Sequence, residues 1–388
     1  MKCSDYKLST CRGQVFDRLC EIWKETKEST DPDTKEAWAK DIWRKANTLQ
    51  AVAQYWHSAA DATRKQRALA LMREGYDFYL TKKAQEWWVD DFGWWGGFFG
   101  DLRDYTYAFP LDPPFSQANL LTEIEYCYDR MLVNLDAKQG GIWNQPGGEK
   151  NTITNDWALN LASNLFNITS NAKYKTFAET QYKWLMTGKY QGYSPQSWSL
   201  YTSTGLILWL PGPSDTPKSY WSGDEGVFLR GLAAYVGGVV TDPSVKKQLL
   251  QNCQNLIITA IGAQNGFPDA QSVMHESPNP PDWSNDLATG KGVFMRLVTR
   301  FAHLYNFFDD KVFEAKFKTF VDLTAESVWC SRQIPKAGKS QWVIAPNWNP
   351  PLGPSEEGNP HSGGLWPQVF QTNGLDALNA AAQINGVA

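Results

Sequence analysis

Residues 154–166 read Thr-Asn-Asp-Trp-Ala-Leu-Asn-Leu-Ala-Ser-Asn-Leu-Phe. Within them Leu159, Leu161, Ala162, Leu165 and Phe166 recur at intervals of three and four, the spacing that puts side chains on one face of an α-helix. The same period runs outward in both directions. It predicts helices approximately over 13–27, 35–57, 61–82, 91–104, 116–133 and 151–169, and again over 172–189, 222–237, 243–262, 286–306, 312–331 and 364–384. Strand-like alternation is scarce, and 204–210 (TGLILWL) is the best candidate for a short strand. The fold class read from this pattern is all-α.

Twelve segments imply six helical hairpins. Alternate helices open with a small or polar cluster and continue with Gly, Ala and bulky apolar residues: DDFGWWGGFFG from Asp90, TNDWALNLA from Thr154, GDEGVFLRGLAA from Gly223 and GKGVFMRLV from Gly290. These starts lie 64, 69 and 67 residues apart, the length of two helices with their loops. Small residues permit close packing on an inner ring, and the more polar helices between them suit an outer ring. The expected architecture is an (α/α)6 barrel, or toroid, in which residues 1–388 form one catalytic domain. An open α-solenoid would show shorter and more similar repeats. Residues 1–34 fit either the first barrel helix or an appended arm. The loops 134–150, 190–220, 263–285 and 332–362 are long and rich in Gly, Pro, Asn and aromatics, and loops of that length in a compact domain are usually functional.

The composition narrows the function. Nineteen of the 388 residues are Trp, many beside Gly, Asp, Asn and Pro instead of inside apolar runs. Indole combines a flat apolar face with one N–H, which suits a groove that stacks sugar rings. The net charge is −4 with both signs interspersed, so no nucleic-acid partner is expected. No run approaches 18 consecutive apolar residues, so no membrane span is expected. The opening MKCSDYKLST lacks the apolar region of a signal peptide. Six Cys lack zinc-site spacing, His57, His275, His303 and His361 lack metal-ligand spacing, and no G-x-S-x-G elbow, P-loop or dinucleotide fingerprint occurs. No metal or organic cofactor is expected, and the chain is expected to act as a monomer. The sequon Asn167-Ile-Thr169 adds to a reading as a secreted or cell-surface protein, with a cytoplasmic location left open.

The densest chemical signal is Glu86-Trp-Trp-Val-Asp-Asp-Phe-Gly-Trp-Trp95. Two neighbouring carboxyls between indoles can divide into an acid and a base, because apolar walls and a neighbouring negative charge both disfavour the second ionisation. Glycoside hydrolysis needs such a pair, one carboxylate for the anomeric carbon and one acid for the leaving oxygen. An Asp at a helix start also serves as an N-cap, and both roles fit Asp90-Asp91 at this stage.

The segment resembles glycoside hydrolase family 76, the endo-α-1,6-mannanases, whose members carry a paired Asp followed by aromatics. The resemblance extends to Gly140-Gly-Ile-Trp143, Asn151-Thr-Ile-Thr-Asn155, the loop from Gln264 to Asp269, Gly226-Val-Phe-Leu-Arg-Gly-Leu232 and Lys291-Gly-Val-Phe-Met-Arg296, in order over roughly residues 85 to 300. It implies an (α/α)6 barrel and a retaining mechanism, with Asp90 as nucleophile and Asp91 as general acid/base. Trp88, Trp94, Trp95, Trp143, Asn155, Trp221 and Asp224 are then expected around the sugar subsites. Asn155 fits equally well as a helix cap, Lys291 as the partner of a nearby acid, and His361-Ser-Gly-Gly-Leu-Trp366 as a further part of the groove.

The chain departs from the family at two places. Ser222-Gly-Asp-Glu-Gly226 stands where members commonly show Tyr-Asn-Gln-Gly, and Asn144 stands where a Trp is expected after Trp143. Asp224 and Glu225 thus form a rival acidic pair suited to a different sugar or a cationic substituent. Beside the hydrolase reading stand a cell-wall glycan transglycosidase of the same fold, a glycosidase for another α-linked glycan, and a non-catalytic sugar-binding protein. The C-terminus, NAAAQINGVA, lacks the hydrophobic tail of a lipid-anchor signal.

Overall fold

Asp31, Ser116, Asn151, Asn171 and Asp310 each stand immediately before a helix. Each turns a side-chain oxygen onto the helix's first free N–H groups, at Thr34, Asn119, Thr154, Lys173, and Val312 with Phe313. The computed structural model describes residues 5–107, 111–188, 198–213, 220–262, 266–269, 271–276, 289–332, 342–345, 348 and 366–387. Among these the chain forms α1 (Leu8–Lys27), α2 (Pro32–Lys40), α3 (Trp43–Ser58), α4 (Ala62–Lys82), α5 (Val89–Tyr105), α6 (Gln117–Leu132) and α7 (Thr152–Thr169). It continues with α8 (Ala172–Thr187), the antiparallel strands β1 (Trp198–Tyr201) and β2 (Ile207–Pro213), then α9 (Ser222–Ala234), which ends in a π turn (Tyr235–Val239). The remaining helices are α10 (Pro243–Ala260), α11 (Gly290–Leu304), α12 (Lys311–Cys330) and α13 (Trp366–Asn385).

The all-α class is as expected, but the described residues hold thirteen α-helices where the periodicity gave twelve. The segment 35–57 is two helices. Asp41 adopts an extended backbone (φ −81°, ψ 95°), pairs with Arg44 at 2.8 Å and accepts from the Arg44 N–H at 3.4 Å. A side chain that bonds the next turn's backbone competes with helix continuation, while the apolar spacing on either side runs on undisturbed and hides the break. The strand expected over 204–210 is β2, shifted to Ile207–Pro213.

Burial alternates along the chain as inner and outer helices should. α3, α5, α7, α9, α11 and α13 are buried on most sides, whereas α4, α6, α8, α10 and α12 bury a single stripe. The chain divides into two compact units, Met1–Tyr79 with Ile261–Ala388, and Leu80–Ala260.

In the second unit α7 packs against α5, α6, α8 and α9. Gly93 makes this closeness possible, since a Cβ there would stand 2.4 Å from both Cβ and Cγ of Trp157. Trp94 meets Trp157 edge-on at 5.0 Å. Arg230 of α9 donates to Asp101 and to the Gly97 carbonyl of α5, each at 2.8 Å, and its guanidinium lies over the Trp157 ring. A buried charge needs such a complete set of partners.

In the first unit α13 packs against α1, α3, α11 and α12. The opening residues are therefore core: α1 buries Val15, Phe16, Leu19, Ile22 and Trp23. Arg296 of α11, 2% exposed, donates to Asp376 of α13 and Asn47 of α3, both at 2.5 Å. The buried Lys291 ammonium lies 4.2 Å from the Trp348 ring centroid. Cys330 is disulfide-bonded, whereas Cys11, Cys20, Cys127 and Cys253 are thiols. Among the described residues no helix is long and apolar enough to cross a membrane.

Candidate active site

Asp90, Asp91 and the seven residues expected around the sugar subsites all lie in the second unit. Asp90 and Asp91 occupy the first turn of α5, where the helix dipole favours negative charge. Asp90 is half-buried and Asp91 is 6% exposed. Their backbone is fixed from two directions. The Asp91 N–H donates to the Trp88 carbonyl at 3.1 Å, while Val89 and Asp90 donate to Asn144, to its carbonyl at 3.1 Å and its side-chain oxygen at 3.2 Å.

The tryptophans sort into two groups. Trp88 is 53% exposed and Trp143 is half-buried, so both offer ring surface. Trp94, Trp95 and Trp221, expected around the sugar as well, are 1%, 0% and 2% exposed. Trp94 and Trp95 pack within the helix layer, and Trp221 packs edge-on to Trp209 and against Gly223. Trp87 stacks on Phe92 at 4.6 Å and braces the start of α5.

Residues 134–150 present Trp143 and Asn144. Gly140 and Gly141 both take φ +71°, a conformation open to glycine, and a Cβ on Gly141 would lie 2.4 Å from the Trp184 ring. Asn155, wholly buried, accepts from the Ile142 N–H at 2.8 Å, donates to the Ile142 carbonyl at 3.1 Å, and accepts from Gln181 at 2.8 Å. Its side chain thus holds the loop, and the cap of α7 is Asn151. Lys150 pairs with Asp136 at 2.7 Å, bonds the Gly140 carbonyl and covers the Trp143 ring at 4.3 Å. The Lys150 hydrogen bond, with the N–H of Gln139 and Lys138, holds the Asp136 carboxyl down to about 2.

Asp224 and Glu225, at the start of α9, are both fully buried, and Glu225 accepts from the Ile207 N–H of β2 at 2.9 Å. Sequence reasoning missed the acid that joins them. Asp156 is 0% exposed, and neither carboxyl oxygen has a hydrogen-bond partner among the described residues. Burial first, and the Glu225 charge second, raise its pKa well above the usual 3.8. A fully buried acid without a donor keeps its proton. Its position next to Asn155 in the motif was the available signal.

Gln264 and residues 361–365 lie outside the described residues, while Asp269 closes a turn by accepting from Gln271 and Val273. Among the described residues no group of three His, Cys, Asp or Glu is placed to hold a metal ion.

A carboxyl pair at the start of a buried helix, beside indole surface and a braced loop, supplies the groups that glycoside hydrolysis requires. The sequence matches the model of glycosyl hydrolase family 76 over residues 9–357, and the chain belongs to that family. No curated protein matches it. Solved structures share the fold, three of them as follows. One is an inactive variant of the α-1,6-mannanase GH76A of Salegentibacter sp. HEL1_6, with two adjacent aspartates changed to asparagine, in complex with α-1,6-mannotriose. It is 15% identical, covers 96% of this chain and 99% of its own, and has a TM-score of 0.67. Dfg5 from Chaetomium thermophilum, in complex with glucosamine, is 16% identical, with 100% and 93% covered and a TM-score of 0.69. The Lin0763 protein from Listeria innocua is 15% identical, with 99% of each chain covered and a TM-score of 0.67. These likenesses show the helical toroid expected from the twelve-segment pattern.

Proposed function

We propose that this chain is a retaining, endo-acting α-glycosidase for an α-1,6-linked mannose backbone. One observation carries the reading: two adjacent carboxyls stand together in the first turn of α5. The Salegentibacter α-1,6-mannanase made inactive by changing two adjacent aspartates supports the same reading. Asp90 attacks the anomeric carbon while Asp91, the more enclosed of the two, protonates the departing oxygen. Water then enters, Asp91 takes its proton, and the glycosyl–Asp90 ester is broken with net retention. Trp88 and Trp143 stack the sugar rings; Trp94, Trp95 and Trp221 hold the walls, and Asn155 holds the loop. The family match across 9–357 supports one catalytic domain, and the Cys330 disulfide supports an oxidising, extracellular location.

A second reading has its own observation. Asp224 and Glu225 place carboxyls where the family commonly has amides, and Dfg5 was solved with glucosamine. Carboxyls in that place favour an amino sugar, and a cell-wall transglycosidase would use such a glycan as donor.

The test is a panel of α-linked polysaccharides, with unbranched α-1,6-mannan and a glucosamine-bearing glycan, given to the wild type, Asp90→Asn and Asp91→Asn. Retained α-product from mannan, absent with both variants, is the expected result. Cleavage confined to the amino-sugar glycan, or transfer to an added acceptor, moves the assignment to the second reading. Hydrolysis that survives both substitutions rejects the site.

A further inference from the structure

Asn144 occupies the place where the family resemblance leads one to expect tryptophan. An α-helix leaves its first N–H groups without partners in its own turn, and the residue that precedes α5, Trp88, contributes no side-chain cap. Asn144 closes that end from 54 residues downstream. Its carbonyl takes the Val89 N–H, its side-chain oxygen takes the Asp90 N–H at 3.2 Å, and its own N–H donates to the Glu149 carbonyl at 2.7 Å. A backbone N–H can only donate, so the amide oxygen must face Asp90. Asn144 is 6% exposed, which limits competition by water for its amide oxygen.

The clamp has a firm mounting. Asn155 grips the N–H and carbonyl of Ile142, two residues before Asn144, and Lys150 ties the loop's base to Asp136 and Gly140. A hydrogen-bonded path thus runs from the first turn of α7 through the loop to the backbone of Asp90. Indole has no side-chain acceptor, so tryptophan at this position cannot complete the path.

We propose that Asn144 is a positioning residue that fixes the backbone of Asp90 and thereby aims its carboxylate. The proposal rests on the reading of Asp90 as nucleophile. Attack demands alignment within a fraction of an ångström, whereas stacking of sugar rings on Trp88 and Trp143 does not pass through this bond. Loss of the clamp therefore falls on turnover and spares substrate binding.

Asn144→Ala and Asn144→Asp are compared with the wild type on α-1,6-mannotetraose, with amide hydrogen exchange measured at single-residue resolution. Asn144→Ala lowers kcat about tenfold with KM within about twofold, and the Asp90 amide exchanges faster while the Val89 amide, bonded to the main chain of residue 144, does not. Asn144→Asp keeps an acceptor, so kcat at neutral pH and protection at Asp90 return. Its extra negative charge beside Asp90 and Asp91 moves the acidic limb of the pH profile of kcat/KM upward. Unchanged kcat in Asn144→Ala, a loss carried by KM, or unchanged exchange at Asp90 overturns the proposal. A wild type that cleaves no glycan sinks the nucleophile reading instead, and the exchange data still report on the clamp.

Discussion

Asp156 looks in the sequence like any acid at a helix start, and only its surroundings make it unusual. The fold places it wholly inside, against Glu225, with a pKa raised well above 3.8. A carboxyl whose folded pKa exceeds its unfolded value binds its proton more tightly in the native state. Its contribution to stability is complete below about pH 4 and is lost as pH rises toward the folded pKa. Asparagine keeps the shape without the charge, so Asp156→Asn is expected to raise Tm at pH 8 and to leave it nearly unchanged at pH 4. Tm curves of variant and wild type that run parallel from pH 4 to 8 would remove Asp156 from this role. The contrast with Asp90 and Asp91 shows what was legible at this scale. Their flanking tryptophans marked them in the sequence, whereas the burial of Asp156 depends on helices whose mutual approach no local pattern encodes. The same limit applied to Trp94 and Trp95, whose position beside two aspartates could not reveal that their rings turn inward.

Within α5 the glycines divide by what faces them. A methyl at Gly93 meets the stem of Trp157 at 2.4 Å, and atoms that close to the backbone cannot swing aside. Gly93→Ala is expected to destabilise by about 2 kcal/mol through overpacking. At Gly100 the nearest atom is Arg230 Nη2 at 3.6 Å, an ordinary contact, and there alanine gains helix propensity of up to about 1 kcal/mol. Urea unfolding of the two variants therefore shifts in opposite directions, and a stable Gly93→Ala would contradict the tight α5–α7 packing. The periodicity located nearly every helix because buried helices and their single-stripe neighbours carry different compositions. It failed at Asp41, where one polar side chain ends a helix without disturbing the apolar spacing, and the sheet register of β2 depends on a partner strand that local sequence does not specify.

For the whole molecule, sequence and structure agree on an all-α member of glycosyl hydrolase family 76. The sequence could indicate the paired acids and the aromatic loops, because both are local. It could not indicate how Asn144 reaches Asp90, since that bond spans 54 residues and depends on the path of a glycine-rich loop. The burial of Asp224 and Glu225 is non-local in the same way, since both are fully enclosed and Glu225 accepts from the Ile207 N–H of β2. The chain also carries a covalent tie at Cys330, at the end of α12. Cys330→Ser is expected to cost about 2 kcal/mol and to lower Tm under non-reducing conditions, with no further drop when a reductant is added. A variant that melts with the wild type would show that the tie adds nothing to the fold.

The first compact unit is made from two stretches separated by the whole of the second, and its central helix, α13, is synthesised after every residue of that second unit. Gln371 donates to the Val15 carbonyl across 356 positions, Asn379 to the Ala51 carbonyl across 328, and Thr48 meets Thr372 across 324. On the ribosome, at about 5–20 residues per second, α1 and α3 emerge before the second unit and wait until α13 has been made before their apolar faces are covered. The residues of the second unit emerge without that delay. The nascent chain therefore passes through a stage in which the unit that holds the proposed site is fully synthesised and the first unit is not, so closure of the first unit waits on the twenty residues of α13.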